Sequence, residues 1–253
     1  MGTADIDGVV DRMERQLAAL PEDDARRYFH ATYLRTTRAV GEALRQGRFD
    51  DAEWVERWDV VFADLYLDAL QVALDGGRPA RPWEVAFAAA AEADRRLPPL
   101  RHVLLGMNAH INYDLPQALV AVIPSEDFDD AQRLVMRERD HLHIDEVLAE
   151  RVSAEDEALG GGRSLVDRVL TPANRLATRR FLVESRAKVW RNARHLDAAR
   201  RVSADAYAAR LAELEELSAR RVADLTAPGQ VLLKLARRGF GVSLADGVPA
   251  TVH

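Results

Sequence analysis

The sequence predicts an all-α fold, a single-domain bundle of about 8–10 helices. Three observations carry that expectation. Ala, Leu, Arg and Glu recur at helical spacing, β-branched residues never alternate in strand fashion, and glycine and proline fall mostly at segment edges. With 253 residues, 48% of them hydrophobic, the chain can bury a large core. Residues 1–240 are expected to form one helical domain, and 241–253 an irregular tail.

The elements follow in order. A first helix is predicted over 5–19 and a second from Pro21, a residue suited to a helix start, to Gln46. "GRFDD" ends it, and a third helix runs from Asp51 to Leu74 with Trp54, Trp58, Val61 or Phe62, Leu65 and Ala69 as its apolar stripe. "DGGRPARP" is a loop before a short helix opening at Pro82 and Trp83. "RLPPL" leads into the most apolar helix, Leu100 to Pro124. A long helix is expected from Asp127 to Glu150, then the connector "ALGGGRS" and a short helix. Helices over Pro172–Arg200, Ser203–Leu225 and Gly229–Arg238 complete the chain.

Composition narrows the function classes. The absence of cysteine excludes disulfides, thiolate metal sites and cysteine nucleophiles. A net charge of −6 argues against nucleic-acid binding, and the Arg-rich stretch from Asn174 to His195 reads as solvated helix faces with ion pairs. No segment has the apolar length of a membrane span, and the acidic, amphipathic start does not resemble a signal peptide, so a cytoplasmic location is expected. "GGGRS" lacks the lysine of a phosphate-binding loop, and no serine-nucleophile elbow or dinucleotide fingerprint occurs.

The chemistry concentrates in "GMNAHINYDLP", a polar island inside the apolar helix. His110 and Asp114 lie four apart on one face, with Gly106 and His102 continuing the row and Asn108 and Asn112 forming its neighbour. Gly106 leaves room for a ligand or another helix. Pro116 cannot donate to the Asn112 carbonyl, so a kink is expected beside Asp114. Buried polar groups without partners cost roughly 1–3 kcal/mol each, so the island needs partners. His110, Asp114 and Asn112 are the candidate catalytic residues. Asn108, Tyr113 and His102, with Arg186 and Trp190 sharing a later helix face, are candidates for substrate binding.

A second His-x-x-x-Asp pair, His141 and Asp145, opens a metal alternative. Two helices each offering an imidazole and a carboxylate can complete a four-ligand site of nitrogen and oxygen donors, suited to zinc, manganese or iron. Three readings stand side by side. His110, Asp114, His141 and Asp145 hold an ion that activates water for hydrolysis. Alternatively, no cofactor is used and His110 is an acid or base for an isomerisation, cyclisation or elimination of a small molecule. In the third, the island binds a ligand or joins helices without catalysis. The charged helix Ser203–Leu225 can pack within the chain or form a homodimer.

"GMNAHINYDL" resembles the His-Ile-Asn-x-Asp-Leu motif of an uncharacterised family of bacterial helical proteins. "WVERWDVVFADLYLDAL", "PWEVAF" and "ESRAKVWRNARHL" resemble that family's other blocks, over residues 25–200. The likeness implies a helical fold and the importance of His110, Asn112 and Asp114. More distantly, Leu105, Gly106, His110 and Asp114, followed by His141 and Asp145, resemble a pattern of the zinc-dependent phospholipase C and single-strand nuclease superfamily. That likeness implies that the two histidines and two aspartates are zinc ligands.

Overall fold

In a computed structural model, the described residues are 5–91, 97–158, 172–227, 235 and 239–246; for 145, 148–158 and 172–185 only the backbone is described. The helices are α1 Ile6–Ala19, α2 Arg26–Arg45, α3 Ala52–Leu74, α4 Arg81–Ala91 and α5 Pro99–Ala109. A π turn, His110–Asp114, joins α5 to α6, Leu115–Val122. Then come α7 Ser125–Asp129, α8 Ala131–Ala158, α9 Pro172–Val202 and α10 Ala204–Thr226. The chain is all-α, and the described residues contain no strand. Among them, no helix is long and apolar enough to cross a membrane.

Local chemistry explains the boundaries. Asp5, Asp51 and Ser203 each accept a backbone N–H of the first turn of α1, α3 and α10. The second helix begins at Arg26 rather than Pro21. Residues 21–24 form a turn closed by the Asp24 N–H on the Pro21 carbonyl, and the Asp24 carboxylate takes both the backbone N–H and the guanidinium of Arg26. The helix expected over 127–150 is divided at Asp130, whose carboxylate accepts from the N–H groups of Gln132 and Arg133 and starts α8 afresh. The expected helix over 229–238, the short helix after the glycine run and the glycine run itself lie outside the described residues.

The continuous run α5–π turn–α6 is the axis of the packing. α5 packs on α2, α4 and α10, whereas α6 packs on α3 and α9. Two apolar clusters result. One gathers Trp54, Trp58, Phe62, Leu119, Leu196 and Leu214 around α6. The other gathers Met13, Phe29, Tyr66, Leu70, Trp83 and Leu105 around α5. Ile111, in the π turn, packs against both. The polar island therefore sits where the two cores meet.

Candidate functional site

The kink expected beside Pro116 takes the form of the π turn. The Leu115 N–H bonds the His110 carbonyl five residues back, and Pro116 follows in the first turn of α6. This places His110, Asn112 and Asp114 in the interior, all at most 3% exposed.

The expected His110–Asp114 contact is present: Nδ1 lies 2.8 Å from Asp114 Oδ2. The same oxygen accepts from Trp83 Nε1 at 2.9 Å, so α4 fixes the carboxylate that fixes the imidazole. Phe62 stacks on the His110 ring at 3.6 Å between centroids, with planes 5° apart. Tyr33 meets it edge-on at 4.5 Å, and Phe29, Trp83 and Tyr66 stand at 5.9–6.0 Å. Inside this aromatic box, His110 Nε2 has no hydrogen-bond partner.

Tyr33 Oη and Asp59 Oδ2 are among the other buried polar atoms that share that condition. Burial pushes the Asp59 carboxyl up to about 7. Burial, reinforced by the negative charges of Asp59 and Asp114, holds the Tyr33 phenol well above its usual range. Burial likewise pushes His110 down and Asp114 up, the latter partly countered by the Trp83 N–H. Burial thus opposes the charged form of each partner. Whichever partner holds the proton between them sets whether Nε2 is a bare acceptor or an N–H donor.

Neither Tyr33, Asp59, Phe62 nor Trp83 was singled out as part of a site by the sequence. Asp59 carries a signal that could have found it, because it lies on the buried face marked by Val55, Phe62 and Tyr66. His30, on α2, fills a separate role. Its Nε2 donates to the Met13 carbonyl and its Nδ1 accepts from Tyr66 Oη, both at 2.8 Å, which ties α1, α2 and α3 together.

The other sequence-derived candidates divide into several groups. Asn108 gives its amide N–H to the Leu104 carbonyl and its oxygen to Asn112. Asn112 also clamps the extended segment near the C-terminus, bonding the Phe240 carbonyl and the Val242 N–H. Tyr113 is buried in the α6 cluster. Arg186 bonds the His141 carbonyl and Trp190 Nε1 donates to His141 Nδ1 at 2.9 Å, so both hold α9 to α8. His102 stacks on Tyr28 and lines a small cleft, about 20 Å³, with Phe29, Tyr66, Trp83 and Gly106. The room that Gly106 leaves is filled by a neighbouring helix: a Cβ there would lie 2.3 Å from Phe29 Cγ of α2.

Among the described side chains of the metal alternative, His110, Asp114 and His141 do not converge on a zinc site. Trp190 can only donate, so His141 Nδ1 is the acceptor and the proton of its neutral ring rests on Nε2. A metal ligand needs a bare nitrogen. Burial and the Arg186 charge also push His141 down, keeping the ring neutral. The two histidines occupy different surroundings, His110 against Phe62 and His141 against Trp58 and Trp190. Asp145 lies on α8, and its side chain is outside the described residues. Among the described residues, no three His, Asp or Glu groups are arranged to hold an ion.

No curated protein and no solved structure matches the chain. Residues 6–228, which contain every helix described above and the whole His110 box, match the model of a family of unknown function; the chain belongs to that family, DUF5995.

Proposed function

We propose that the protein is an acid–base enzyme acting on a small molecule, with His110 Nε2 as the atom that takes and returns the proton. One observation carries this reading: Nε2 is buried without a partner while Nδ1 is anchored through Asp114 to Trp83. An unpaired buried polar atom costs about 1–3 kcal/mol, and such costs concentrate at working sites. A π turn within an α-helix points the same way.

In this scheme Nε2 removes a proton from one atom of the substrate. The Nδ1 proton moves toward Asp114, whose burial favours the protonated carboxyl, so the negative charge passes from the carboxylate to the substrate. Return of the proton to another atom of the same molecule completes an isomerisation or cyclisation, and return to a leaving group completes an elimination. Tyr33 Oη can donate to an oxygen that gains negative charge. The small cleft is the nearest opening, because Phe29, Tyr66 and Trp83 line it and also stand around the His110 ring; at about 20 Å³ it has to widen to admit a substrate.

The near-complete enclosure of His110 favours a second reading, a closed network that only joins helices. The double variant His110→Phe, Asp114→Asn separates them by denaturant unfolding, since the new amide still accepts from Trp83. The enzyme reading expects stability equal to or above wild type. A loss of about 3 kcal/mol or more supports the structural network instead. In parallel, imidazole ¹⁵N spectra across a small-molecule panel should show compounds that shift the Nε2 resonance of His110. A panel that leaves it unmoved counts against the enzyme.

A further inference from the structure

Residues 239–246, which follow the family match, are not helical but are tightly held. Phe240, Gly241, Val242 and Leu244 are buried and Ser243 and Ala245 exposed, so from Val242 to Ala245 burial alternates as in a strand. Among the described residues no strand pairs with this segment; side-chain amides take that place. Asn112 donates to the Phe240 carbonyl at 3.3 Å and accepts from the Val242 N–H at 3.2 Å. Asn192 repeats the pattern two residues on, donating to the Val242 carbonyl at 3.0 Å and accepting from the Leu244 N–H at 2.9 Å.

Each asparagine bonds the carbonyl of residue i and the N–H of residue i+2, as one residue of a parallel neighbouring strand does. Such bonds read backbone and are indifferent to side chains. Side-chain selection comes from three further features. Apolar sites take residues 240, 242 and 244. Residue 241 lies so close to α9 that a Cβ would stand 2.5 Å from Lys188 Cδ, which favours glycine. Arg191 pairs with the Asp246 carboxylate at 2.6 Å.

We propose that the groove formed by α9, α10 and the π turn is a peptide-binding site. Its ligand is an extended segment of pattern apolar–Gly–apolar–x–apolar with an acid two residues on, and residues 239–246 are its resident, displaceable occupant. The groove shares the π turn with His110 but is independent of any reaction there, because Asn112 faces the segment and His110 the aromatic box.

The test uses the full chain and a fluorescent peptide of residues 239–246, read by anisotropy. In a chain carrying Val242→Asp and Leu244→Asp, the resident segment is released and the peptide should bind at least tenfold more tightly than to wild type, whose own segment competes at high effective concentration. Adding Asn192→Leu to the released chain should abolish binding. A released chain that keeps its helical circular dichroism yet ignores the peptide overturns the proposal. Hydrogen exchange on the wild-type protein decides the matter should that variant not fold. Val242 and Leu244 amides should be at least tenfold less protected than those of Leu214 and Val222 in α10. Equal protection would make the segment part of the global core, and the proposal would fall.

Discussion

Near pH 4 the Asp59 carboxyl is protonated in much of the unfolded chain and in nearly all of the folded protein, and from there the two states diverge. The unfolded chain ionises through its ordinary range, whereas the folded protein holds the proton until about pH 7. Between those values the folded state binds more protons, so the contribution of this group to stability falls as pH rises. Asp59→Asn removes that slope. Denaturant unfolding should show the variant close to wild type at pH 4 and about 2–4 kcal/mol more stable at pH 8. His110 and His141 act in the opposite sense, since burial lowers both; their contribution is present above the ordinary histidine range and is lost as unfolding takes up protons in acid. Gly106→Ala tests the packing around the box. The Phe29 ring should be forced to shift at a cost of about 2–3 kcal/mol, and the loss should shrink in a Phe29→Ala background, as a thermodynamic cycle can measure. The His110–Asp114 pair was legible in the sequence because both ends lie on one helix. Its walls were not, since Phe62, Tyr33 and Trp83 come from three other helices and spacing says nothing about such distant pairs.

Helix boundaries depend on single side chains, and this is where sequence and structure part most often. Asp140 is an example. Its position in "RERDH" reads as part of a solvated, charged face, yet it is 3% exposed. Its two carboxylate oxygens accept the backbone N–H groups of Asp50 and Asp51, which docks α8 on the start of α3. Asp140→Ala should leave both donors unpaired and cost about 2–4 kcal/mol, while Asp140→Asn, with one acceptor oxygen, should cost less; chemical denaturation of the two variants checks the order. The charged pattern concealed this because burial of an acid follows from where its partners lie. The break at Asp130 and the late start of α2 have the same origin, carboxylates that bond nearby N–H groups and restart a helix. Pro116, by contrast, marked the right place from sequence alone, and only the form of the irregularity awaited the structure.

At the scale of the whole molecule, the all-α class and most helices were legible because apolar periodicity is strong over long segments. The meeting of two clusters at the polar island was not, because it depends on how α5 and α6 face different neighbours. The separate surroundings of His110 and His141 also have a global consequence. Dialysis against a chelator should leave the melting temperature unchanged, and a fall restored by zinc would show that an ion stabilises the fold.

The π turn explains how one helical run can serve both clusters. Each helical residue advances the direction of its side chain by about 100°, so the extra residue held in the turn offsets the phase of α6 from that of α5. A continuous α-helix of the same sequence would keep a single phase, and one of its halves would present the wrong stripe. Deleting Ile111 should restore that single phase and unfold the protein, which circular dichroism melting would report. The turn is in this sense a rotary coupling between two cores, and the irregularity that carries the polar island is also what turns one stripe toward each core.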